Sequence, residues 1–246
     1  MQTPMIHTPD VTQLRRFQGL ERLLIPGPTL DLHHPQSAGR KTVEDYIARQ
    51  FNQIHGASIR HFMPQLLSMN CKDQPITALG MRSAESGDFF LEQYLPRAIE
   101  SFVSKVAGKF VSRSAIIEIG NLVSTQRGGS QLLFIMLTAL LEPSHFDWVV
   151  FTATPQVHKT MTRMGMTLHE LYEADPALLT KSHISEWGTY YDCRPKVVAV
   201  SVAAAMQTLL ERKTYANVIA LYQSLLQALV PLLSQYDNDD RHPLSA

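Results

Sequence analysis

The chain has 246 residues, and its 22 basic and 22 acidic side chains cancel in charge. A neutral balance gives no global field of the kind that attracts proteins to nucleic acid, so no nucleic acid partner is expected. With 45% hydrophobic and 18% charged residues, the composition is that of a folded globule. The two cysteines, Cys71 and Cys193, are far apart and lack metal-ligand spacing. We therefore expect neither a disulfide framework nor a metal site.

The first thirty residues do not have the pattern of a secretory signal. Charged side chains, among them Asp10, Arg15 and Glu21, interrupt every apolar run there. By inspection no later segment reaches the roughly 18 apolar residues that a membrane-spanning helix needs. We expect a cytoplasmic protein whose contact with membranes is at most peripheral.

The N-terminal part of the chain predicts short elements. Residues 1–36 form an irregular segment, in which a Pro-Gly-Pro turn at 26–28 precedes a strand at 29–32. Apolar residues at three- and four-residue steps predict a helix over residues 42–54. Ser37 is its candidate N-terminal cap, and Gly56 ends it.

Strand and helix patterns alternate along the rest of the chain. Two apolar runs around the polar residues 72–75 predict a β-hairpin with a four-residue loop. Near-continuous apolar strands followed by helices indicate strands that are covered on both faces. The further predicted elements are a strand at 89–95, a helix at 96–107, strand-to-helix units at 115–141 and 148–165, a strand at 196–202 and a long helix at 206–234. We predict an α/β domain over residues 1–202, with a mixed central sheet flanked by helices, and a C-terminal helical extension with a polar tail over 203–246.

The first strand-to-helix unit contains the most informative turn. Glu118 lies on its strand, and Gln126-Arg127-Gly128-Gly129-Ser130-Gln131 leads into its helix. The two glycines permit close approach of a ligand, and the first amides of a helix form a ready site for phosphate. A plain turn explains the same two glycines equally well.

The order of elements around this turn resembles the core of the GNAT acyltransferases. The phosphate loop of that family follows the pattern Gln/Arg-x-x-Gly-x-Gly/Ala. Gln126 and Gly129 fill its first and fourth positions here, while Gln131 stands at the sixth in place of a small residue. The segment that ends in Met164-Gly165-Met166 is similar to the helix that closes the GNAT core.

Four blocks in order resemble the thermostable hemolysin family, over about residues 40–200. They are Phe90-Leu91-Glu92-Gln93-Tyr94-Leu95, Ile117-Glu118-Ile119-Gly120-Asn121-Leu122, Trp148-Val149-Val150-Phe151-Thr152-Ala153-Thr154 and Trp187-Gly188-Thr189-Tyr190-Tyr191. That family looks like a GNAT relative and is similar in layout to the acyl-homoserine lactone synthases. The resemblance implies a GNAT-like fold, acyl transfer to an amine, and central strands that part to admit a thioester.

The resemblance also implies which residues bind the acyl donor. The backbone of Leu122, Val123 and Ser124 is expected to hold the pantetheine arm of acyl-CoA or of an acyl-carrier protein. The phosphate of the donor is expected at the turn made of Gln126, Arg127, Gly128, Gly129 and Ser130.

Two acidic residues on apolar segments are candidate catalytic groups. An unpaired carboxylate is costly to bury, so Glu118 requires a reason to lie on a buried strand. It is either a general base or ammonium anchor for the amine, or a partner in an ion pair with Arg82 or Arg113. Glu92 has the same two interpretations.

Asn121 and Tyr191 complete the candidate catalytic set. Asn121 either caps the end of its strand or orients the substrate carbonyl. Tyr191, like its neighbour Tyr190, is either a core aromatic residue or a proton donor to the departing thiolate.

Apolar residues from Val218 to Leu233 recur along one face of the last helix. This face predicts packing on the domain or on a twin subunit, so a homodimer through the C-terminal helix is a candidate assembly. The function expected is an N-acyltransferase of the GNAT type that joins an acyl group to a small amine or amino acid. The alternatives are a hemolysin that acts on membranes directly or through a surfactant-like product, and a GNAT-like module without activity that only binds a partner.

Overall fold

The computed structural model describes residue 24 and residues 27–239, which form a mixed α/β fold. Its strands are β1 Thr29–His33, β2 Gln65–Cys71, β3 Gln74–Ser83, β4 Ile116–Ser124, β5 Trp148–Ala153, β6 His169–Glu173 and β7 Lys196–Ser201. Its helices are α1 Arg40–His55, α2 Ile99–Ala107, α3 Gly129–Leu141, α4 Pro155–Arg163, α5 Lys181–Glu186, α6 Val202–Glu211 and α7 Lys213–Asp239. The predicted mixed sheet with flanking helices and a long C-terminal helix is confirmed.

All seven strands lie in one sheet, in the order β1-β2-β3-β4-β5-β7-β6. Within the described part of the chain β4 and β5 pair in parallel, and the remaining neighbours are antiparallel. Both predicted strand-to-helix units are present, as β4 followed by α3 and β5 followed by α4. The two units place the ends of β4 and β5 side by side in the middle of the sheet.

Helices cover both faces of the sheet. On one face α3, α6 and α7 share an apolar cluster with Ile117 and Ile119 of β4. On the other face α1 packs against β2, β3 and β4, while α2 and the turn Phe90–Tyr94 pack against β4, β5 and β7. Successive side chains of a strand point to opposite faces, so Glu118 lies on this second face.

The N-terminal predictions hold with small corrections. The strand predicted at 29–32 is β1, and Gly56 caps the C-terminus of α1 with φ 63°. Ser37 does not cap α1: Gly39 holds the N-cap position, and the Ser37 hydroxyl accepts a hydrogen bond from the His34 N–H. The predicted turn at 26–28 lies partly outside the described residues.

The hairpin of β2 and β3 is confirmed, but its predicted four-residue loop is wrong. The turn consists of Lys72 and Asp73, whose φ angles are 50° and 59°. Two left-handed residues match the twist of the strands in a two-residue hairpin turn. Gln74 and the following proline therefore belong to β3.

The strand predicted at residues 89–95 is wrong, because this segment is a 3-10 turn, Phe90–Tyr94. Its backbone N–H groups do not pair with a strand. The amides of Phe90 and Leu91 donate to the Glu118 carboxylate, and that of Phe89 donates to the Glu92 carboxylate. Apolar residues alone do not reveal this arrangement, since the acceptors come partly from a distant strand.

The single long helix predicted at residues 206–234 is two helices, α6 and α7, which break at Arg212. The predicted domain boundary at residue 202 falls at the start of α6. The strand predicted at 196–202 ends as β7 at Ser201, and β6 had no counterpart in the predictions.

The apolar face of α7 packs on the domain. Its buried side chains lie against α3 and the sheet and are Tyr215, Val218, Tyr222, Leu226, Leu229 and Leu233. Contrary to the expectation from the sequence, residues Lys213–Leu233 are long and apolar enough to cross a membrane, by length and composition alone. The residues buried against the domain make up 28% of this apolar stretch.

Candidate active site

The middle of the sheet is split between β4 and β5. Their parallel pairing runs from Ile116 opposite Trp148 to Ile119 opposite Phe151 and ends there. Beyond this point β4 continues along β3 as far as Ser124, while β5 stays paired with β7 as far as Ala153. Within the described part of the chain, the backbone edges of the two strands that face the split therefore have no strand partner, which is what the predicted thioester site requires.

A β-bulge bends β4 at the start of the split. Ala78 lies opposite Val123 but Gly80 lies opposite Gly120, so β4 has one extra residue here. Asn121 takes this position with φ 52°, and its side-chain oxygen accepts a hydrogen bond from the Met63 N–H. Bulges turn a strand away from its neighbour, and asparagine tolerates the left-handed conformation. The expectation that Asn121 caps the end of its strand is wrong, because β4 continues to Ser124 and Asn121 lies at the bulge inside it. Its role towards a substrate stays a prediction.

A cavity of about 750 Å³ passes through the split and reaches both faces of the sheet. On the α1 and α2 face its walls include charged and aromatic side chains, namely Arg82, Glu118, Phe51, His55, Phe62, Phe90, Tyr94, Trp187, Tyr190 and Tyr191. On the α3 and α6 face the walls are mainly apolar and include Phe134, Leu137, Leu141, Val149, Phe151, Met161, Met166, Val200, Val202 and Ala205. One continuous space thus joins a polar chamber to an apolar chamber.

Glu118 lines the polar chamber and is 2% exposed. Its two oxygens accept hydrogen bonds from the N–H groups of Phe90 and Leu91, at 2.9 and 2.8 Å. Burial raises its pKa to about 7, although the two backbone donors and Arg82 oppose the shift. A carboxyl group with this pKa is able to exchange a proton with an amine near neutral pH.

The ion pair considered for Glu118 does not form in the described residues. Arg82 lies directly opposite it on β3, but its Nη1 donates to the Asp88 carbonyl at 2.7 Å. Arg113 bonds to Glu92 and Glu100 instead. Two backbone amides hydrogen-bond to the buried carboxylate, and the Arg82 charge stabilises it without a direct bond.

Glu92 lies outside the cavity walls. Arg113 donates to both of its oxygens at 2.6 Å, and the amides of Phe89 and Ile99 donate to them as well. Burial alone would raise the pKa of Glu92, but the bonds to Arg113 and the backbone outweigh burial and hold it below its ordinary value. In this structure Glu92 ties the turn beside Glu118 to Arg113, so its geometry is that of a structural ion pair.

Three tyrosines border the polar chamber. The hydroxyls of Tyr94 and Tyr191 share a short hydrogen bond, and the Tyr190 hydroxyl points to the Thr152 carbonyl. Burial raises the pKa of Tyr191 to about 12, and burial also raises the pKa of Tyr94 and Tyr190. The three groups are protonated at neutral pH. The Tyr190 hydroxyl donates to Thr152, and one hydroxyl of the Tyr94–Tyr191 pair keeps a proton that it is able to donate.

The segment that carries Tyr190 and Tyr191 is anchored to the end of α1. The Thr189 N–H donates to the His55 carbonyl, and the Ser58 N–H donates to the Glu186 carbonyl. Gly188 has φ 53° and lies so close to the His55 carbonyl that a Cβ atom would overlap it. Glycine is therefore required here by both conformation and space.

The glycine turn lies where β4 passes into α3. Gly128 is the N-cap with φ 84°, and a Cβ at Gly129 would overlap the Ser124 hydroxyl. Leu122, Val123, Ser124 and Ser130 line the cavity, whereas Gln126, Arg127, Gly128 and Gly129 are not among its lining residues. Gln126 and Arg127 are exposed at the rim, next to first-turn amides that have no partner within the helix.

The structure thus brings Glu118, Asn121, Tyr191 and Leu122–Ser124 to one cavity and leaves Glu92 behind its wall. The sequence analysis missed the role of Tyr94 as a wall residue, because its segment was interpreted as a strand. It also missed the contribution of α6, whose buried Ala205 closes the apolar chamber. Among the described residues no group of three or more His, Cys, Asp or Glu side chains forms a metal cluster.

The sequence profile described as "Thermostable hemolysin" matches residues 33–206, well over half of the chain. The chain belongs to the thermostable hemolysin family. The four sequence blocks that carry the resemblance are the turn beside Glu118, the bulged strand β4, strand β5 and the segment of Tyr190. In this member of the family all four of them border one cavity. No curated protein matches the chain in sequence.

The fold is similar to that of acyl-homoserine lactone synthase LasI, with a TM-score of 0.51 and 14% identity over 80% of this chain and 95% of LasI. Two further solved structures resemble it more distantly. FeeM, an N-acyl amino acid synthase from uncultured soil microbes, has a TM-score of 0.48 and 13% identity over 75% of this chain and 96% of its own. MesI, a CoA-dependent acyl-homoserine lactone synthase, has a TM-score of 0.44 and 12% identity over 74% and 94%. At this level of identity the likeness to LasI establishes the fold.

Proposed function

We propose that this protein is an N-acyltransferase of the GNAT type that transfers an acyl group from acyl-CoA or an acyl-carrier protein to a small amine or amino acid. The observation that supports the proposal is the cavity that crosses the sheet between β4 and β5. It joins Glu118, which has a pKa of about 7, to an apolar chamber under α3 and α6. A thioester placed in the split has its carbonyl near Glu118 and its chain among apolar side chains.

The site residues have distinct roles in this reaction. The unpaired backbone edge of Leu122–Ser124 hydrogen-bonds to the pantetheine arm, and the amides at the start of α3 together with Arg127 hold its phosphate. Burial of each methylene of the acyl chain contributes about 0.8 kcal/mol, which favours a long chain in the apolar chamber. Sequence, cavity and fold likeness all support this placement of the donor.

Proton transfer begins at Glu118. The ammonium group of the acceptor gives a proton to the carboxylate, and the free amine attacks the thioester carbonyl carbon. The C–N bond forms and the C–S bond breaks. The proton released from nitrogen passes to the departing thiolate, which the one free hydroxyl proton of the Tyr94–Tyr191 pair stabilises by hydrogen bonding. Glu118 then returns its proton to solvent.

An acyl-transfer assay tests the proposal. The purified protein is incubated with acyl-CoA or acyl-carrier protein donors of graded chain length and with a mixture of amines and amino acids. Release of thiol that depends on the acceptor, with a matching N-acyl product in the mass spectrum, is expected. Absence of turnover with every donor would support the alternative of a binding module without activity.

Lysis of red cells, which the family description suggests, fits this activity indirectly. An amine that carries a long acyl chain is a surfactant, so we propose that the product rather than the protein disrupts membranes. Among the described residues one helix has the length and composition to cross a membrane, and its apolar face packs in the core. Purified protein without any acyl donor is expected not to lyse erythrocytes, and lysis under those conditions would establish direct action.

A further inference from the structure

Arg82 and Glu118 face each other across β3 and β4 without forming an ion pair. They are directly opposed in the strand register, where Cβ atoms of opposite residues lie about 5 Å apart. Both line the polar chamber. The described residues contain ion pairs elsewhere, but none joins these two side chains.

Other bonds hold the two side chains apart. Two backbone amides fix the Glu118 carboxylate, and the Asp88 carbonyl fixes Nη1 of Arg82. Nε of Arg82 is buried and has no hydrogen-bond partner among the described residues. A buried N–H group without a partner is costly, and a native structure that keeps one requires an explanation.

No acidic side chain forms an ion pair with this guanidinium among the described residues. Glu44 and Asp45, which line a second cavity together with Arg82, pair with Arg40 and Lys41, and the half-buried Glu92 pairs with Arg113. Glu186, the remaining acidic residue on the cavity wall, is exposed to solvent. The chamber therefore presents one anionic and one cationic group side by side, each with hydrogen-bonding capacity to spare.

We propose that the acceptor is a zwitterionic α-amino acid, whose ammonium group binds Glu118 while its carboxylate binds Arg82. This inference deepens the proposed function and rests on it for the transfer step, but not for binding. A guanidinium is suited to a carboxylate because it offers paired donors in a planar fork. A simple amine would leave Nε of Arg82 without a hydrogen-bond acceptor.

The rest of the chamber indicates the amino acid side chain. Phe90, Trp187 and Tyr190 form its aromatic wall, with ring centroids of Phe90 and Trp187 5.8 Å apart and those of Trp187 and Tyr190 5.1 Å apart. Rings bury apolar groups well and offer few fixed polar partners. Amino acids with apolar or aromatic side chains are the favoured class.

The test compares L-leucine and L-phenylalanine with isoamylamine and phenethylamine, which lack the carboxylate, and with the two methyl esters. Acyl transfer gives kcat/KM for each acceptor, and calorimetric titration of the same compounds without donor gives binding. The variants are Arg82→Met and Arg82→Lys. Arg97→Met is the matched control, because Arg97 is exposed and lines neither this cavity nor the second cavity beside Glu44 and Asp45.

Wild type and Arg97→Met are expected to prefer the amino acids over the amines by about 100-fold or more, since unpaired site groups disfavour the wrong substrate. Arg82→Met is expected to bring this ratio close to one. Arg82→Lys is expected to keep an intermediate ratio, because an ammonium group retains the charge but not the fork. If Arg82→Met does not fold, the ratio of amino acid to amine kcat/KM in Arg82→Lys tests the proposal instead.

The remaining outcomes separate this inference from the proposed function. Efficient acylation of amines by the wild type, or an unchanged ratio in the folded Arg82 variants, overturns the amino acid proposal and leaves acyl transfer intact. Amino acid binding that requires Arg82, without transfer from any donor, contradicts the acyltransferase and supports the binding site. Absence of both binding and transfer overturns both.

Discussion

Glu118 illustrates how a residue gains reactivity from its surroundings. Its strand buries it, which raises its pKa, while two backbone amides keep the ionised form accessible. The balance leaves the pKa at about 7, near the pH at which a base has to work. The sequence indicated that a buried carboxylate at Glu118 requires a stabilising partner, but not that the amides of Phe90 and Leu91 are that partner.

The first prediction concerns the pH dependence of transfer. A general base acts in its ionised form, so kcat/KM is expected to rise with pH and to level off above about 7, the pKa of Glu118. Glu118→Gln is expected to lower the rate by about 10²- to 10⁴-fold and to remove this inflection. Steady-state kinetics from about pH 5.5 to about pH 9 measures this dependence. The ionic strength is held constant on the order of 0.1 M, where the Debye length is about 10 Å. A variant that keeps the wild-type profile would exclude Glu118 as the base.

The second prediction assigns Glu92 to stability. Removing either partner of its ion pair, in Glu92→Gln or Arg113→Met, is expected to lower the free energy of unfolding by about 2 kcal/mol, the typical value of a hydrogen bond to a charged group. Urea denaturation measures the change. Asp45→Asn, which breaks the exposed pair with Lys41, is the control and is expected to have no measurable effect.

The contribution of the Glu92–Arg113 pair to the free energy of unfolding depends on pH. The folded pKa of Glu92 lies below its ordinary value of 4.5, so the folded carboxyl binds a proton less readily than the unfolded one. Its stabilisation is therefore present above pH 4.5 and is lost as the pH falls through the folded pKa. The difference between wild type and Glu92→Gln is expected to shrink in acid, and a difference that persists would contradict this account.

At the scale of elements, the split between β4 and β5 depends on how each strand is held on its other side. β5 pairs with β7 along its full length, and β4 pairs with β3 beyond the bulge at Asn121. The two strands part where each keeps its outer partner and the bulge bends β4. The sequence predicted both strands correctly, whereas the bulge depends on the contact of Asn121 with Met63.

The third prediction tests the turn that leads into α3. Gly129→Ala places a Cβ on the Ser124 hydroxyl and is expected to displace the turn, which raises KM for the acyl donor about tenfold, as the loss of one charge-assisted hydrogen bond would do. Initial rates at varied donor concentration measure it. The double variant Gly129→Ala/Ser124→Ala has room for the methyl group and is expected to recover the wild-type KM for the donor. Ser124→Ala is the control. Equal KM values in all four proteins would remove this turn from donor binding.

At the scale of the whole molecule, the cavity joins groups from both sides of the sheet. Its polar chamber is built from α1, the turn at Phe90–Tyr94 and the segment of Tyr190, and its apolar chamber from α3, α4 and α6. Such a passage exists only because the two central strands part. The predicted cytoplasmic location and homodimer stay predictions, and the packing of α7 on α3 leaves its polar side free.

The fourth prediction concerns acyl chain length. Ala205 closes the apolar chamber from α6, so Ala205→Leu is expected to shorten the preferred chain by about two methylene groups, with a penalty of about fourfold for each methylene that no longer fits. Competition among saturated acyl donors, with products counted by mass spectrometry, measures the shift. Ala203→Leu adds the same volume on the exposed side of α6 and is expected to change nothing. An identical product distribution in both variants would place the chain elsewhere.

The sequence by itself determined the order of most elements, the hairpin, the two strand-to-helix units and the glycine turn, because these depend on local periodicity and on residues close in the chain. It also placed Glu118 on a buried strand. Only the tertiary structure decided which carboxylate faces the cavity, because the partners of Glu118 and Glu92 come from separate segments. The opposed Arg82 and the passage through the sheet likewise depend on strand register and long-range packing, which no local pattern specifies.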